Sequence, residues 1–162
     1  MSKEMEINIR PIFATPFLVF TIPDHERINQ ELLNLIAAHI WRAFPASSKR
    51  RNIATSFAHI HNVRAMRIGM AKGKKPPRLD RAAVTPAQAR AALSESAKVF
   101  VSLIEQCLQQ GGSVPVYHDV VTLVCGDIIH EAHHRGQIAH WARALGAPLT
   151  PEQQLKLWID KD

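Results

Sequence analysis

Histidines are the clearest indication of chemistry in this chain of 162 residues. Of nine histidines, five lie between residues 118 and 140, at positions 118, 130, 133, 134 and 140. An imidazole binds divalent transition metals through a ring nitrogen, and it also exchanges protons near neutral pH. The cluster therefore predicts a metal site or an acid–base site, whose geometry depends on the elements that carry it.

His130 and His134 are the centre of the predicted site because their spacing suits one face of a helix. Residues four positions apart lie about 40° apart around an α-helix, so both imidazoles can converge on a single ion. Gln137 shares this stripe, about 20° from His130, and Asp127 lies at its edge, about 60° away. Either side chain could orient a ligating imidazole by bonding its second ring nitrogen.

A third ligand has to come from another helix, and residues 57–64 offer two candidates. His59 and His61 point about 200° apart, so only one of them can face the same site as the pair. Both lie on partly apolar stripes, and helical periodicity alone does not choose between them.

Residues 130–134 also match the His-Glu-x-x-His pattern of zinc metalloproteases, in which the glutamate is the general base. A third ligand would have to follow, and only Glu152 is available. The hydrolase interpretation is therefore an alternative. Two roles stay open for Glu131, a catalytic base at the rim of the site or a solvated carboxylate.

The spacing of apolar residues places the candidate ligands on two of four long helices. The predicted helices cover about 25–43, about 52–71, a segment that opens at Thr85-Pro86 and ends at Gly111, and about 118–145. Thr150-Pro151 begins a short last helix. This pattern predicts an all-α four-helix bundle, an architecture that often holds metal ligands on facing helices.

Residues 1–23 are predicted to form an extended N-terminal arm, separate from a bundle domain of residues 24–162. Their apolar residues alternate loosely, and Pro11 and Pro16 interrupt them, which favours an edge strand or an irregular segment. Asp24 is the predicted cap of the first helix.

The composition favours a globular protein, with 46% hydrophobic and 21% charged residues. No apolar run approaches the roughly 20 residues of a membrane span, so we expect no membrane partner. The N-terminus lacks a secretory signal, so we expect a cytoplasmic protein. In that reducing compartment Cys107 and Cys125 should be buried free thiols.

The net charge of +6 comes partly from basic segments at residues 49–51 and 72–78. They flank a predicted helix about 30 Å long and contain no aromatic residue, whereas nucleic-acid surfaces favour one continuous stripe with aromatic residues. We therefore do not expect nucleic acid to be the partner, and a basic nucleic-acid-associated module is a lesser alternative. These segments could instead attract an anionic thiol or acid substrate.

Two of the predicted helices contain the strings Ala58-His59-Ile60-His61-Asn62-Val63-Arg64 and His130-Glu131-Ala132-His133-His134-Arg135-Gly136-Gln137-Ile138. These strings resemble signatures of the DinB/YfiT-like superfamily of metalloenzymes, and the resemblance covers about residues 43–160. The downstream Leu145-Gly146-Ala147-Pro148-Leu149, followed by Leu157-Trp158, also fits.

The resemblance implies a four-helix bundle, often a homodimer, with a divalent metal held by His59, His130 and His134. It selects His59 over His61. Some members of that superfamily are transferases or isomerases that depend on a low-molecular-weight thiol, which would then be a cosubstrate here. Three imidazoles suit zinc or nickel, and ferrous iron as well.

Residues 7–36 are unlike the usual start of that superfamily and resemble the N-terminal segment of some 2-oxoglutarate/iron oxygenases. The chain contains no His-x-Asp or His-x-Glu triplet, so the metal motif of that activity is missing.

The leading hypothesis is a metal-dependent transferase, isomerase or hydrolase, in which a metal-activated thiol or water attacks a small electrophilic substrate. The alternative from another class is a non-catalytic metal-binding or dimeric interaction protein.

Overall fold

The computed structural model describes residues 14–48 and 50–158, and this part of the chain is all-α. Four long helices form a bundle: α1 (Ala14–Leu35), α2 (Ile53–Met70), α3 (Pro86–Gln109) and α4 (Val120–Ala144). A short helix, α5 (Pro151–Trp158), follows them, and a 3-10 turn (Ala38–Ile40) lies between α1 and α2. The predicted bundle with a short C-terminal helix is confirmed. Within the described ranges, no helix combines the length and apolar character needed to cross a membrane.

Side-chain caps fix where three of the long helices begin. Asn52 and Thr55 form a reciprocal capping box at the start of α2, and Thr85 and Gln88 form a second one at α3. The carboxylate of Asp119 caps α4. These caps satisfy backbone amides that the first turn of a helix leaves without a partner, so the two ligand-bearing helices start at defined positions.

α1 begins at Ala14 rather than after Asp24, so the extended arm predicted for residues 1–23 is wrong over residues 14–23. Residues 1–13 lie outside the described part of the chain. Pro16 falls in the first turn of the helix, where a missing amide hydrogen costs little, and Pro23 is accommodated inside the helix. Ile22 is 2% exposed in the core, so tertiary packing outweighs the local preference of its proline neighbour.

Two apolar clusters divide the core of the bundle along its length. One contains Phe57, Trp41 and the α5 residue Leu157, and the other contains Ile68 and Phe100. Between the two clusters lies a set of buried polar side chains from all four long helices, which we call the polar layer: Glu26, Asn29, Arg64, Ser96, Asp127, Glu131 and Arg135.

The two cysteines differ in exposure. Cys107 is buried as predicted, but Cys125 is exposed, so the prediction of two buried thiols is wrong for Cys125. Val121 and Ile129, four residues to either side of it, are also exposed. This apolar stripe therefore faces away from the bundle, as apolar side chains on protein surfaces commonly do.

Candidate metal centre

The three histidines selected by sequence lie together between α2 and α4. The ring centroids of His59 and His130 are 5.1 Å apart, those of His59 and His134 are 4.7 Å apart, and those of His130 and His134 are 4.6 Å apart. One potential ligand nitrogen from each ring lies within 4.8 Å of the other two. This cluster could bind a metal ion.

The nitrogens that face each other have the separation expected of two ligands on one ion. His59 Nε2 and His130 Nε2 are 3.2 Å apart. Two nitrogens at 2.0–2.1 Å from a tetrahedral zinc ion would be separated by about 3.3–3.4 Å. The donor set of three imidazoles and their spacing therefore fit a first-row divalent ion without rearrangement of the helices.

Gln137 fixes the tautomer of His134. The Gln137 Oε1 atom lies 2.8 Å from His134 Nδ1, and the Gln137 Nε2 atom lies 2.8 Å from Nε2 of the exposed His133. Because an amide oxygen only accepts hydrogen bonds, His134 Nδ1 carries the hydrogen and His134 Nε2 keeps its lone pair for a ligand. This is the role predicted for Gln137 from its place on the stripe.

All three imidazoles are neutral at pH 7. Burial, followed by the charge of His134, lowers the pKa of His59 and of His130 from 6.5 to about 4. Burial also lowers the pKa of His134. Metal ligation requires the neutral ring, so this environment keeps each imidazole in the protonation state that a metal needs over the physiological pH range.

The two ring nitrogens of His130 have different surroundings. Its Nδ1 atom is buried and has no hydrogen-bond partner among the described residues. A buried polar atom without a partner costs about 1–3 kcal/mol. His130 Nε2 faces His59 Nε2 at 3.2 Å, so the ring is held at the centre by this contact and by the packing of α4 against α2.

Asp127 lies in the polar layer and contacts arginines instead of an imidazole. Its Oδ1 atom accepts a hydrogen bond from Arg67 Nη1 at 2.7 Å, and its Oδ2 atom is 3.5 Å from Arg64 Nε. The prediction that Asp127 orients a ligating imidazole is not matched by any hydrogen bond among the described residues. Burial, followed by the charge of Glu131, raises the pKa of Asp127.

Glu131 is 1% exposed, so it is neither a base at the rim of the site nor a solvated carboxylate. It accepts hydrogen bonds from Arg64 Nε and from Asn29 Nδ2, each at 2.9 Å. Although burial alone would raise the pKa of Glu131, Arg64, Asn29 and Arg135 together lower it. Glu131 is thus an ionised partner of arginines, and the metalloprotease interpretation loses its general base.

The third ligand of that interpretation, Glu152, is also not part of the cluster. The third member of the cluster is His59, from α2. His61 points away from the cluster, with Nδ1 at 3.2 Å from Ser96 Oγ and Nε2 at 2.7 Å from the Pro77 carbonyl oxygen. The structure therefore agrees with the choice of His59 over His61.

Two exposed arginines border the histidine cluster, and sequence analysis did not assign them to it. Arg81 Nη2, from the connection between α2 and α3, lies 2.6 Å from His59 Nδ1. Arg51, just before the cap of α2, contributes with Arg81 to lowering the pKa of both His59 and His134. Arg51 belongs to a basic segment noted in the sequence, whereas nothing in the pattern around Arg81 indicates this contact.

Comparisons with protein-family models, with curated proteins and with solved structures give no significant match for this chain.

Proposed function

We propose that the protein is a metal-dependent enzyme, in which an ion held by His59, His130 and His134 activates a small nucleophile against an electrophilic substrate. The convergence of three neutral imidazoles, with 3.2 Å between His59 Nε2 and His130 Nε2, carries this proposal. Zinc held by these three nitrogen ligands would keep an open coordination position, lower the pKa of a bound water to about 7 and ionise a bound thiol. Zinc or nickel is the expected ion, and ferrous iron also suits this ligand set.

Within this site the carboxylates favour thiol chemistry over hydrolysis. A hydrolase of the His-Glu-x-x-His type needs a carboxylate beside the attacking water. Here Glu131 and Asp127 both bind arginines, and the cluster formed by described residues contains no carboxylate. A thiol ionised by the metal needs no such base, so a transferase or isomerase with a low-molecular-weight thiol cosubstrate is preferred. The resemblance of residues 58–64 and 130–138 to the DinB/YfiT-like superfamily supports the same choice.

The surrounding side chains keep the ligands in place before substrate arrives. Gln137 holds the His134 ring in the ligating tautomer. Arg64 joins α2 to α4 through Glu131, one residue from His130, and therefore fixes the two ligand-bearing helices relative to each other. The site is preorganised by these contacts, which lowers the cost of orienting the reactants.

The first test is the metal content of the purified protein, measured by elemental analysis. We expect about one ion per chain in the wild type and a loss of most of it in His134→Ala. His140→Gln, which alters an exposed histidine on the same helix, should retain the metal. Wild-type protein without stoichiometric metal, after loading with zinc, nickel and ferrous iron in turn, would refute the proposal.

The second test separates catalysis from binding alone. Metal-loaded protein is incubated with a panel of small thiols and a chromogenic aryl halide, and thioether formation is followed by absorbance. Thiol transfer that His134→Ala abolishes supports an enzyme. Loaded protein that transfers none of the thiols would instead fit the alternative, a non-catalytic metal-binding protein.

A further inference from the structure

The histidine cluster lies beside two positive charges that no carboxylate in the described part of the chain neutralises. Arg51 and Arg81 are exposed, and no carboxylate of the described residues lies within 4.0 Å of either guanidinium. The polar layer behind the cluster offers no surplus anion, because its carboxylates pair with arginines. The carboxylates are those of Glu26, Asp127 and Glu131, and the arginines that pair with them are Arg64, Arg67 and Arg135. Neutral imidazoles do not offset the charge of a divalent ion either, so a bound metal would increase the excess of positive charge at the site.

The contact between Arg81 and His59 is incompatible with metal ligation through His59 Nε2. A guanidinium only donates hydrogen bonds, so His59 Nδ1, 2.6 Å from Arg81 Nη2, must accept with its lone pair. The hydrogen of the neutral ring then lies on Nε2. A ring that ligates through Nε2 carries its hydrogen on Nδ1, and two donors would face each other. Arg81 must therefore leave His59 when an ion is bound there.

We propose that Arg81, released from His59 and aided by Arg51, binds a carboxylate group of the substrate or thiol cosubstrate at the metal centre. This inference rests on the proposed function. A guanidinium presents paired donors that match the two oxygens of a carboxylate, and such charge-assisted bonds are among the strong ones in proteins. The carboxylate also supplies the negative charge that the site lacks. Arg81 would thus exchange His59 for the carboxylate when an ion is bound.

The test uses two thiols that differ in charge. Cobalt-loaded protein is titrated with mercaptoacetate, which carries a carboxylate, and with 2-mercaptoethanol, which does not, and binding is followed by the visible spectrum of the cobalt–thiolate. The wild type should bind mercaptoacetate more tightly, and Arg81→Gln should reduce this preference by about tenfold while leaving the neutral thiol almost unchanged. Arg51→Gln should reduce it less. Arg78→Gln, an exposed arginine of the same connection, is the control and should change nothing.

A second readout follows the metal itself, by competition with a chromogenic chelator. Arg81→Gln should bind cobalt at least as tightly as the wild type, because the guanidinium no longer holds His59 in the tautomer whose hydrogen lies on the ligating Nε2. If the wild type binds cobalt but Arg81→Gln has the same thiol preference, the carboxylate inference is wrong and the metal site stands. If the wild type binds no metal, both the proposed function and this inference are overturned.

Discussion

Gln137 shows how a single amide can decide which nitrogen of a histidine is free to bind. Its oxygen accepts from His134 Nδ1 and its nitrogen donates to His133 Nε2, so in this orientation the amide selects the His134 tautomer whose Nε2 can bind a metal. Side chains that orient a metal-bound histidine in this way commonly change metal affinity by factors of 10–100 when they are removed.

Replacement of Gln137 with methionine should therefore weaken metal binding by roughly tenfold or more, because His134 then loses the acceptor for its Nδ1 hydrogen. The measurement is chelator competition with zinc. Gln106→Met, at an exposed position on α3, is the control for loss of an amide and should leave the affinity unchanged. Equal zinc affinity of Gln137→Met and the wild type would mean that Gln137 does not orient His134.

At the scale of single residues, the sequence predicts the candidate metal ligands well and the contacts of the side chains around them poorly. The four-residue spacing of His130 and His134 depends only on helix geometry, and the structure brings both rings together with His59. Glu131 has one partner four residues along α4, Arg135, but its 2.9 Å hydrogen bonds come from Asn29 on α1 and Arg64 on α2, which no pattern within α4 indicates. Contacts within one helix can be read from spacing, whereas pairing across helices depends on packing that the sequence does not display.

The polar layer is the feature of the helices that binary patterning could not predict. Arg64 lies on α2 among apolar and small residues. An arginine is expected to face solvent, yet the side chain of Arg64 is only 1% exposed. Its Nη2 atom is 2.5 Å from Glu131 Oε1, and its Nη1 atom is 3.1 Å from Glu26 Oε2. Although burial lowers the pKa of Arg64, Glu131, Asp127 and Glu26 raise it above its ordinary value, so it remains charged.

Removing Arg64 should strongly destabilise the bundle. Arg64→Met leaves buried carboxylates without their shared partner, and breaking a buried ion pair in this way costs about 3–5 kcal/mol. The free energy of unfolding, measured by urea denaturation, is the readout. Arg90→Met is the matched control, because Arg90 is half-buried and its guanidinium bonds the neutral side chains of Gln30 and Asn34. A loss no larger for Arg64→Met than for Arg90→Met would contradict the assigned role.

The start of α1 illustrates a second limit at the scale of elements. Prolines at positions 11, 16 and 23 favour a non-helical interpretation, and local preference is all that a single sequence offers there. The helix nevertheless forms from Ala14, because Ile22 packs into the apolar cluster that contains Phe100. By contrast, the starts of α2, α3 and α4 follow capping residues and agree closely with prediction.

For the whole molecule, the buried imidazoles link stability to pH. His59 and His130 have a pKa of about 4 in the folded protein, against 6.5 when unperturbed. As the pH falls below about 6.5, the unfolded chain binds protons that the folded protein does not, so the free energy of unfolding decreases until about pH 4.

We expect this decrease in metal-free protein, measured by urea denaturation at pH 7.5, 6 and 5. The double variant His59→Gln/His130→Gln should lose less stability over the same interval, because two of the linked groups are gone. His25 and His61, whose pKa values are also lowered, lie outside the histidine cluster and contribute to both proteins. Parallel pH profiles of the wild type and the double variant would contradict the linkage.

The division of the core by a charged seam has a consequence for how such a chain can evolve. Each of the two apolar clusters can accept substitutions of similar volume, since it does not share its packing with the other cluster. The charged residues between the clusters cannot be replaced so easily, because substituting one of them leaves its partners buried without an opposite charge. Distant homologues are thus expected to retain Arg64, Glu131 and the neighbouring histidines long after the rest of their sequences have diverged beyond recognition.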